Sequence, residues 1–89
     1  MAKVFTDDEK KEIEEKAKYI LVAMDDIGKN GDAYCTDDYL FRASKAVRPS
    51  LTGPQYHTDK TLLLQAEFLH REGYHLYAQR TWDYEVTAA

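Results

Sequence analysis

The sequence predicts an α+β domain in which three helices are followed by a C-terminal β-hairpin. Upstream of Gly73, apolar residues recur at three- and four-residue spacing, which indicates helices. From Tyr74 onward they fall on every second position, which is typical of strands. The chain has 89 residues, so we expect a single domain, 1–89, with one core.

The first predicted helix covers roughly residues 7–28. Thr6 is a good N-cap and Glu9 stands three residues later, as in a capping box. One apolar stripe then follows, formed by Ile13, Ala17, Ile20, Leu21, Met24 and Ile27. The segment GKNG should end this helix, because glycine and asparagine tolerate positive φ.

Two further helices are predicted after a short strand in DAYC. Thr36 caps the second helix, and the Arg-Pro pair at 48–49 ends it because the residue before proline avoids the helical region. The loop PSLTGPQYH follows. Thr58 is then expected to open a third helix that carries LLLQAEFLHRE and closes at Gly73.

The C-terminal segment GYHLYAQRTWDYEV can form its own hairpin. A three-residue loop at 79–81 would place the apolar residues of both arms on one face. The resulting pairs would be Ala78–Trp82, Leu76–Tyr84 and Tyr74–Val86. That loop contains no glycine, so an alternative stays open. The segment could instead be one long strand that pairs with AKVF, with DAYC or with a second subunit.

The order helix, short strand, helix, helix, hairpin resembles that of the winged helix-turn-helix superfamily, over roughly residues 33–86. The junction FLHREGYHLY is similar to the end of a winged-helix recognition helix, with Leu69 four residues before Gly73. Leu62 and Ala66 lie further back on the same helix face. The chain departs from that family in its long loop between the second and third helices. The resemblance implies DNA binding, and the alternative is an unrelated small α+β domain.

The third predicted helix has an apolar side that suggests a protein interface. Leu64 and Phe68 lie roughly opposite the side that carries Leu62 and Leu69. A DNA-reading helix would present polar or basic residues there. An open apolar patch would instead bind a protein, although the same side could be buried under the first helix. The candidate interface residues are Leu64, Phe68, Arg71, Tyr56 and His57.

A basic run predicts a second candidate surface. Between Asp38 and Asp59 the chain has no acidic residue, and a strip of basic side chains there could contact phosphates. The candidate nucleic-acid contacts are Arg42, Lys45, Arg48, Lys60 and Arg80. The net charge of −4 counts against duplex binding. The alternative is a solvated face that balances the acidic N-terminal half.

The sequence has no pattern typical of a catalytic, metal or cofactor site. Cys35 is the single cysteine, which excludes an internal disulfide and fits a reducing, cytoplasmic setting. A calcium-loop-like segment from Asp26 has Gly28 where a ligand is required. No nucleotide-binding, hydrolase or metalloprotease motif occurs. We therefore expect no enzyme activity, metal, cofactor, small-molecule substrate or membrane span.

The expected function is that of a small non-enzymatic regulatory or interaction domain, such as a phage-type or bacterial accessory regulator or inhibitor. It would bind a protein partner or a second copy of itself. The alternative is a DNA-binding winged-helix transcriptional regulator. Net acidity and the apolar side of the third helix favour the protein partner.

Overall fold

A computed structural model describes residues 5–29 and 34–78 of the chain. This part contains four helices and a small three-stranded antiparallel sheet, which confirms the α+β class. The helices are α1 Asp7–Lys16, α2 Lys18–Lys29, α3 Asp37–Val47 and α4 Gly53–Gln65. The strands are β1 Tyr34–Thr36, β2 Leu69–Glu72 and β3 His75–Ala78.

The first predicted helix is divided at Ala17 into α1 and α2. The predicted capping box is present, since the Thr6 N–H donates to Glu9 Oε1 at 3.0 Å and the Glu9 N–H donates to Thr6 Oγ1 at 3.2 Å. Ala17 leaves helical geometry with φ −106° and ψ 16°, although its N–H still bonds to the Ile13 carbonyl. The break lets α1 contact α4 as well as α2. The predicted count of three helices is therefore wrong.

The helix α3 matches its prediction, whereas α4 begins earlier than expected. Thr36 caps α3 and the helix ends just before Pro49, as local sequence indicated. Thr52 caps α4, with Pro54 in its first turn, where the fixed φ of proline suits a helix start. The predicted start at Thr58 is wrong because the helix is already capped six residues earlier, at the Thr-Gly-Pro segment 52–54.

The C-terminus of α4 has the hydrogen-bond pattern of a Schellman motif. The Phe68 N–H bonds to the Leu63 carbonyl at 2.9 Å, and the Glu67 N–H bonds to the Leu64 carbonyl at 3.2 Å. Glu67 takes the left-handed conformation that this motif requires, with φ 66°. Residues 69–72 are consequently the strand β2, and the prediction that the third helix continues to Gly73 is wrong.

The strand β3 is central in the sheet and pairs antiparallel with both β1 and β2. Its pairing with β1 agrees with DAYC as a partner of this segment, whereas the single long strand of that alternative extends into residues that lie outside the described part of the chain. Gly73 and Tyr74 connect β2 to β3, and Gly73 has φ 60° at the first loop position, where a type II′ turn needs a positive φ. Leu76 has Cys35 and Arg71 as its cross-strand partners on the two sides, in place of the predicted Tyr84. Residues 79–89, including Trp82, lie outside the described part of the chain.

The core lies between the helices and one face of the sheet. The largest fully buried apolar side chains come from α2, α3, α4, β2 and β3: Ile20, Leu21, Leu40, Leu63, Leu69 and Leu76. Across residues 5–29 and 34–78, no helix combines the length and apolarity that a membrane crossing requires. The helices α2 and α3 contact β1, and α4 contacts β2, all on the side of the sheet that faces the core. Among the described elements, no helix covers the opposite face of the sheet.

Candidate functional site on the outer face of the sheet

The apolar patch predicted around Phe68 is not open at the surface. Phe68 and Tyr56 are only 4% and 5% exposed and belong to the hydrophobic core. Leu64 is partly buried and packs against the same core, whereas Arg71 and His57 are exposed. The five residues therefore form no continuous exposed apolar surface. The reason is that α4 ends before Phe68, which the following turn directs inward.

Three members of the predicted basic strip are exposed, and each has a partner within the chain. Arg42 Nη2 donates to Asp38 Oδ2 at 2.6 Å, with both side chains more than 70% exposed. Lys45 Nζ donates to a backbone carbonyl in the loop before α4 at 2.9 Å. The Arg48 guanidinium lies 5.1 Å from the centroid of the Tyr19 ring. These three side chains remain accessible, so phosphate contact would compete with weak surface interactions.

Lys60, a further member of the strip, is buried and is not available to a phosphate. Its Nζ lies 2.7 Å from Asp37 Oδ2. Arg71 Nη2 donates to the same oxygen at 3.2 Å, and the Tyr56 hydroxyl donates to Asp37 Oδ1 at 2.7 Å. Asp37 thus joins the start of α3 to α4 and β2. The last member, Arg80, lies outside the described residues.

The carboxyl group of Asp37 is ionised at neutral pH. Burial raises its pKa, but the hydrogen bonds from Lys60, Tyr56 and Arg71 and the charge of Lys60 outweigh burial and hold the pKa below its usual range. Its donors are side chains of α4 and β2, so this arrangement stabilises the packing of α3 against these two elements.

A second buried carboxylate, Asp59, connects α4 to the N-terminal helices. Its side chain is fully buried. The Tyr19 hydroxyl donates to Oδ2 at 2.6 Å, Gln55 Nε2 donates to both oxygens at 3.0 and 3.1 Å, and Lys16 Nζ lies 3.7 Å from Oδ1. Burial, reinforced by the hydrogen bond to Asp59, raises the pKa of Tyr19. The donors leave Asp59 satisfied, as a buried carboxylate requires.

The thiol of Cys35 faces the core and has little nucleophilic character. Burial, followed by the charge of Asp37, raises the pKa of Cys35 to about 11, so the thiol is protonated at neutral pH. In the described part of the chain, no three His, Cys, Asp or Glu side chains are grouped so that they could hold a metal ion.

The outer face of the sheet gathers tyrosine and histidine side chains from all three strands. Successive residues of a strand point to opposite faces, so the register fixes which residues share this surface. The buried side chains of Cys35 and Leu76 are cross-strand partners and mark the inner face. The outer face then has two cross-strand rows, which are Tyr34, Tyr77, His70 and Thr36, His75, Glu72.

The rings on this surface contact one another in a continuous series. The Tyr34 centroid lies 5.2 Å from that of His75, edge to face, and 5.3 Å from that of Tyr77. The centroid of His70 lies 6.3 Å from that of Tyr77. These distances are in the range in which aromatic pairs attract each other. We call the surface formed by Tyr34, His70, His75 and Tyr77 the aromatic face.

The aromatic face continues into a groove beside Tyr34 and His75. The groove has a volume of about 260 Å³ and is lined by Ile27, Tyr34, Cys35, Thr36, Tyr39 and His75. Tyr39 is 56% exposed, Tyr34 is 46% exposed, and Tyr74 at the turn is 85% exposed. Tyr34 and Tyr39, which both line the groove, are therefore accessible to solvent.

The aromatic face carries little formal charge. Among the six outward positions of the described strands, Glu72 is the only residue with a carboxylate, and none is lysine or arginine. Arg71 lies between two of these positions on β2 but points to the inner side, where it donates to Asp37. The surface is thus mainly aromatic, with a single negative charge at Glu72.

The residues of the aromatic face were not among the predicted site residues, although the sequence contained a signal for them. The alternation after Gly73 already placed His75 and Tyr77 on the side opposite Leu76. A glycine followed by any residue is also a known two-residue hairpin loop, which would have paired 69–72 with 75–78. Comparisons of the chain with protein-family models, curated proteins and solved structures found no match.

Proposed function

We propose that this chain is a non-enzymatic binding domain that recognises a protein through the aromatic face. The observation that carries this proposal is the continuous series of rings from Tyr34 through Tyr77 to His70, in which Tyr34 and His70 are exposed and Tyr77 is half-buried. Tyrosine is enriched at interface hot spots because it offers a large, stiff apolar area with a polar tip. The aromatic face takes the place of the Leu64 and Phe68 patch as the proposed interface.

The chemistry of the remaining polar groups supports binding rather than catalysis. Asp37 and Asp59 are each held by several donors of the fold, and the Cys35 thiol is protonated and buried. Such groups serve the packing of the domain. A binding function needs only the shape and surface chemistry that the aromatic face provides.

The test compares two substitutions in the aromatic face, both to a residue that favours strands, with a control substitution on α3. Tyr34→Thr and Tyr77→Thr remove rings from the aromatic face, whereas Val47→Thr changes an exposed apolar residue of α3. Sedimentation velocity of the free protein measures self-association, and quantitative capture from a cell extract measures partner binding. We expect the association to be lost in the tyrosine variants and kept in Val47→Thr, with all three folded. Association that survives in both tyrosine variants would refute the proposal.

A second candidate function, DNA binding by a winged-helix arrangement, is supported by the order of elements. Residues 18–78 follow the sequence helix, short strand, helix, helix and two strands. The exposed residues of α4 include His57, Thr58 and Gln65 and no acidic side chain. On this proposal affinity for duplex DNA falls steeply with salt, and Arg42→Ala reduces the salt slope by about one. Absence of binding to mixed-sequence duplex at about 50 mM salt would eliminate it.

A further inference from the structure

We infer that the aromatic face binds an arginine side chain of its partner, so that the partner is a protein segment of basic character. This inference rests on the protein-binding function proposed above and specifies the chemistry of the partner. It follows from three properties of the face: the accessible ring surfaces, the sign of the charge beside them, and the acceptor groups at their edge.

The first property is the exposure of ring surfaces to solvent. Tyr34 is 46% exposed, and its contact with His75 is edge to face, which leaves part of the tyrosine ring accessible. The face of an aromatic ring is electron-rich, and a cation placed within about 6 Å of its centroid is attracted to it. The same chain already shows such a contact, since the Arg48 guanidinium lies 5.1 Å from the ring centroid of Tyr19.

The second property is the charge complementarity of the surface. Glu72 lies directly across from His75 on the outer side of the sheet, and no lysine or arginine accompanies it at the outward positions of the described strands. The chain as a whole has a net charge of −4. At the outward positions of the described strands a phosphate or carboxylate ligand would find no lysine or arginine, whereas a guanidinium would find both the rings and Glu72.

The third property favours arginine over lysine. The Glu72 carboxylate lies directly across from His75 and offers two acceptor oxygens, whereas the Thr36 hydroxyl on the other side of His75 already accepts from the Tyr39 N–H. A planar guanidinium can stack on a tyrosine ring and still donate hydrogen bonds in its own plane to such acceptors. A lysine ammonium is a compact, strongly hydrated charge that cannot stack in this way.

The probe is a short acetylated and amidated peptide with three arginines separated by glycines, added to the full chain labelled with ¹⁵N and ¹³C. Matched peptides replace every arginine with lysine or with citrulline, which has the shape of arginine without its charge. We expect NMR shift changes at Tyr34, Tyr77 and Glu72 with the arginine peptide, smaller ones with lysine and none with citrulline. Tyr34→Thr should weaken binding about 2–5-fold, the range for an exposed cation–π contact. Glu72→Gln should weaken it as well, whereas Glu12→Gln, an exposed acid on α1, should leave it unchanged.

Three results would overturn the inference. They are equal shifts with the citrulline peptide, shifts confined to α1, and nuclear Overhauser contacts of the Tyr34 or Tyr77 ring with residues 79–89 in the free protein. In the last case the chain itself would occupy the face. The outcome is separable from the proposed function. If Tyr77→Thr abolishes the association and the arginine peptide still fails to bind, only the partner chemistry is wrong. If the tyrosine variants leave the association intact, the proposed function is wrong.

Discussion

Replacement of Asp37 by alanine should destabilise the protein far more than its surface position suggests. Asp37 accepts from Lys60 at 2.7 Å, from Tyr56 at 2.7 Å and from Arg71 at 3.2 Å. The Lys60 side chain is only 6% exposed, so the substitution leaves an ammonium group buried without its counter-charge. Removing one partner of a buried ion pair costs about 3–5 kcal/mol. Because the Asp37 side chain is 36% exposed and solvent screens part of the interaction, we expect about 2–4 kcal/mol.

The neighbouring residue supplies a matched control. Asp38 also lies in the first turn of α3, so both substitutions remove the same favourable interaction with the helix dipole. Its partner is Arg42, and the two side chains are 71% and 77% exposed. A surface pair of this kind contributes about 0–1 kcal/mol. The difference between the two variants therefore measures the loss of the Asp37 contacts with Lys60, Tyr56 and Arg71, and a second substitution at Lys60 separates the part that is due to the buried ammonium.

Urea denaturation followed by circular dichroism gives the free energy of unfolding for each variant. The double variant Asp37→Ala with Lys60→Met removes the unpaired ammonium and should recover part of the loss, since a buried pair can often be replaced by apolar groups. Equal costs for Asp37→Ala and Asp38→Ala would refute the reasoning. So would a double variant that is less stable than the sum of the two single changes.

Four further predictions concern the same fold and are measured as free energies of unfolding. The pKa of Asp37 is lowered in the folded protein because only the ionised carboxylate binds its donors. The difference in free energy of unfolding between the wild type and Asp37→Ala should therefore be complete above about pH 5 and should decrease as the pH falls through about 4. Tyr19→Phe removes the 2.6 Å donor to the buried Asp59 carboxylate and should cost about 1.5–3 kcal/mol; a cost near zero would show that another donor takes its place. Glu67→Gly should stabilise by up to about 1 kcal/mol, since glycine adopts φ 66° without strain, and a loss of stability would contradict the Schellman assignment. Ser44→Ala should be neutral or stabilising by up to about 1 kcal/mol, because the fully buried Ser44 hydroxyl has no hydrogen-bond partner in the described part of the chain, whereas a marked loss would reveal one.

Two helix caps and one helix end that local sequence determines were predicted correctly, whereas the local start signal of α4 at Thr52 was missed. Thr6 with Glu9, and Thr36, are caps whose hydrogen bonds close within three residues, so no knowledge of tertiary contacts is needed. The stop before Pro49 depends only on the steric demand of proline on its neighbour. The break at Ala17 has no such signal, because alanine favours helices and the apolar stripe continues across it. That break instead accompanies the packing of α1 against α4, a contact distant in sequence.

The buried polar joints were beyond prediction for a related reason. Nothing in the residues around Asp59 distinguishes it from an exposed acid in the first turn of a helix. Its partner Tyr19 is 40 positions away, and the partner of Lys60 is 23 positions away. A charged residue is buried only when the complete fold brings donors to it. Lys60 was accordingly assigned to a surface strip that its burial excludes.

The misplaced helix end and the missed aromatic face have one physical origin. The prediction continued the third helix through Phe68 because position 67 is a glutamate, a good helix former, where a Schellman motif usually has glycine. Once the helix ends at Gln65, residues 69–72 become a strand, and the turn at Gly73 pairs that strand with β3. The pairing places His70 and Tyr77 on the outer face of the sheet and leaves Phe68 in the core. A single residue with left-handed backbone geometry thus decides both which apolar surface is hidden and which aromatic surface is presented.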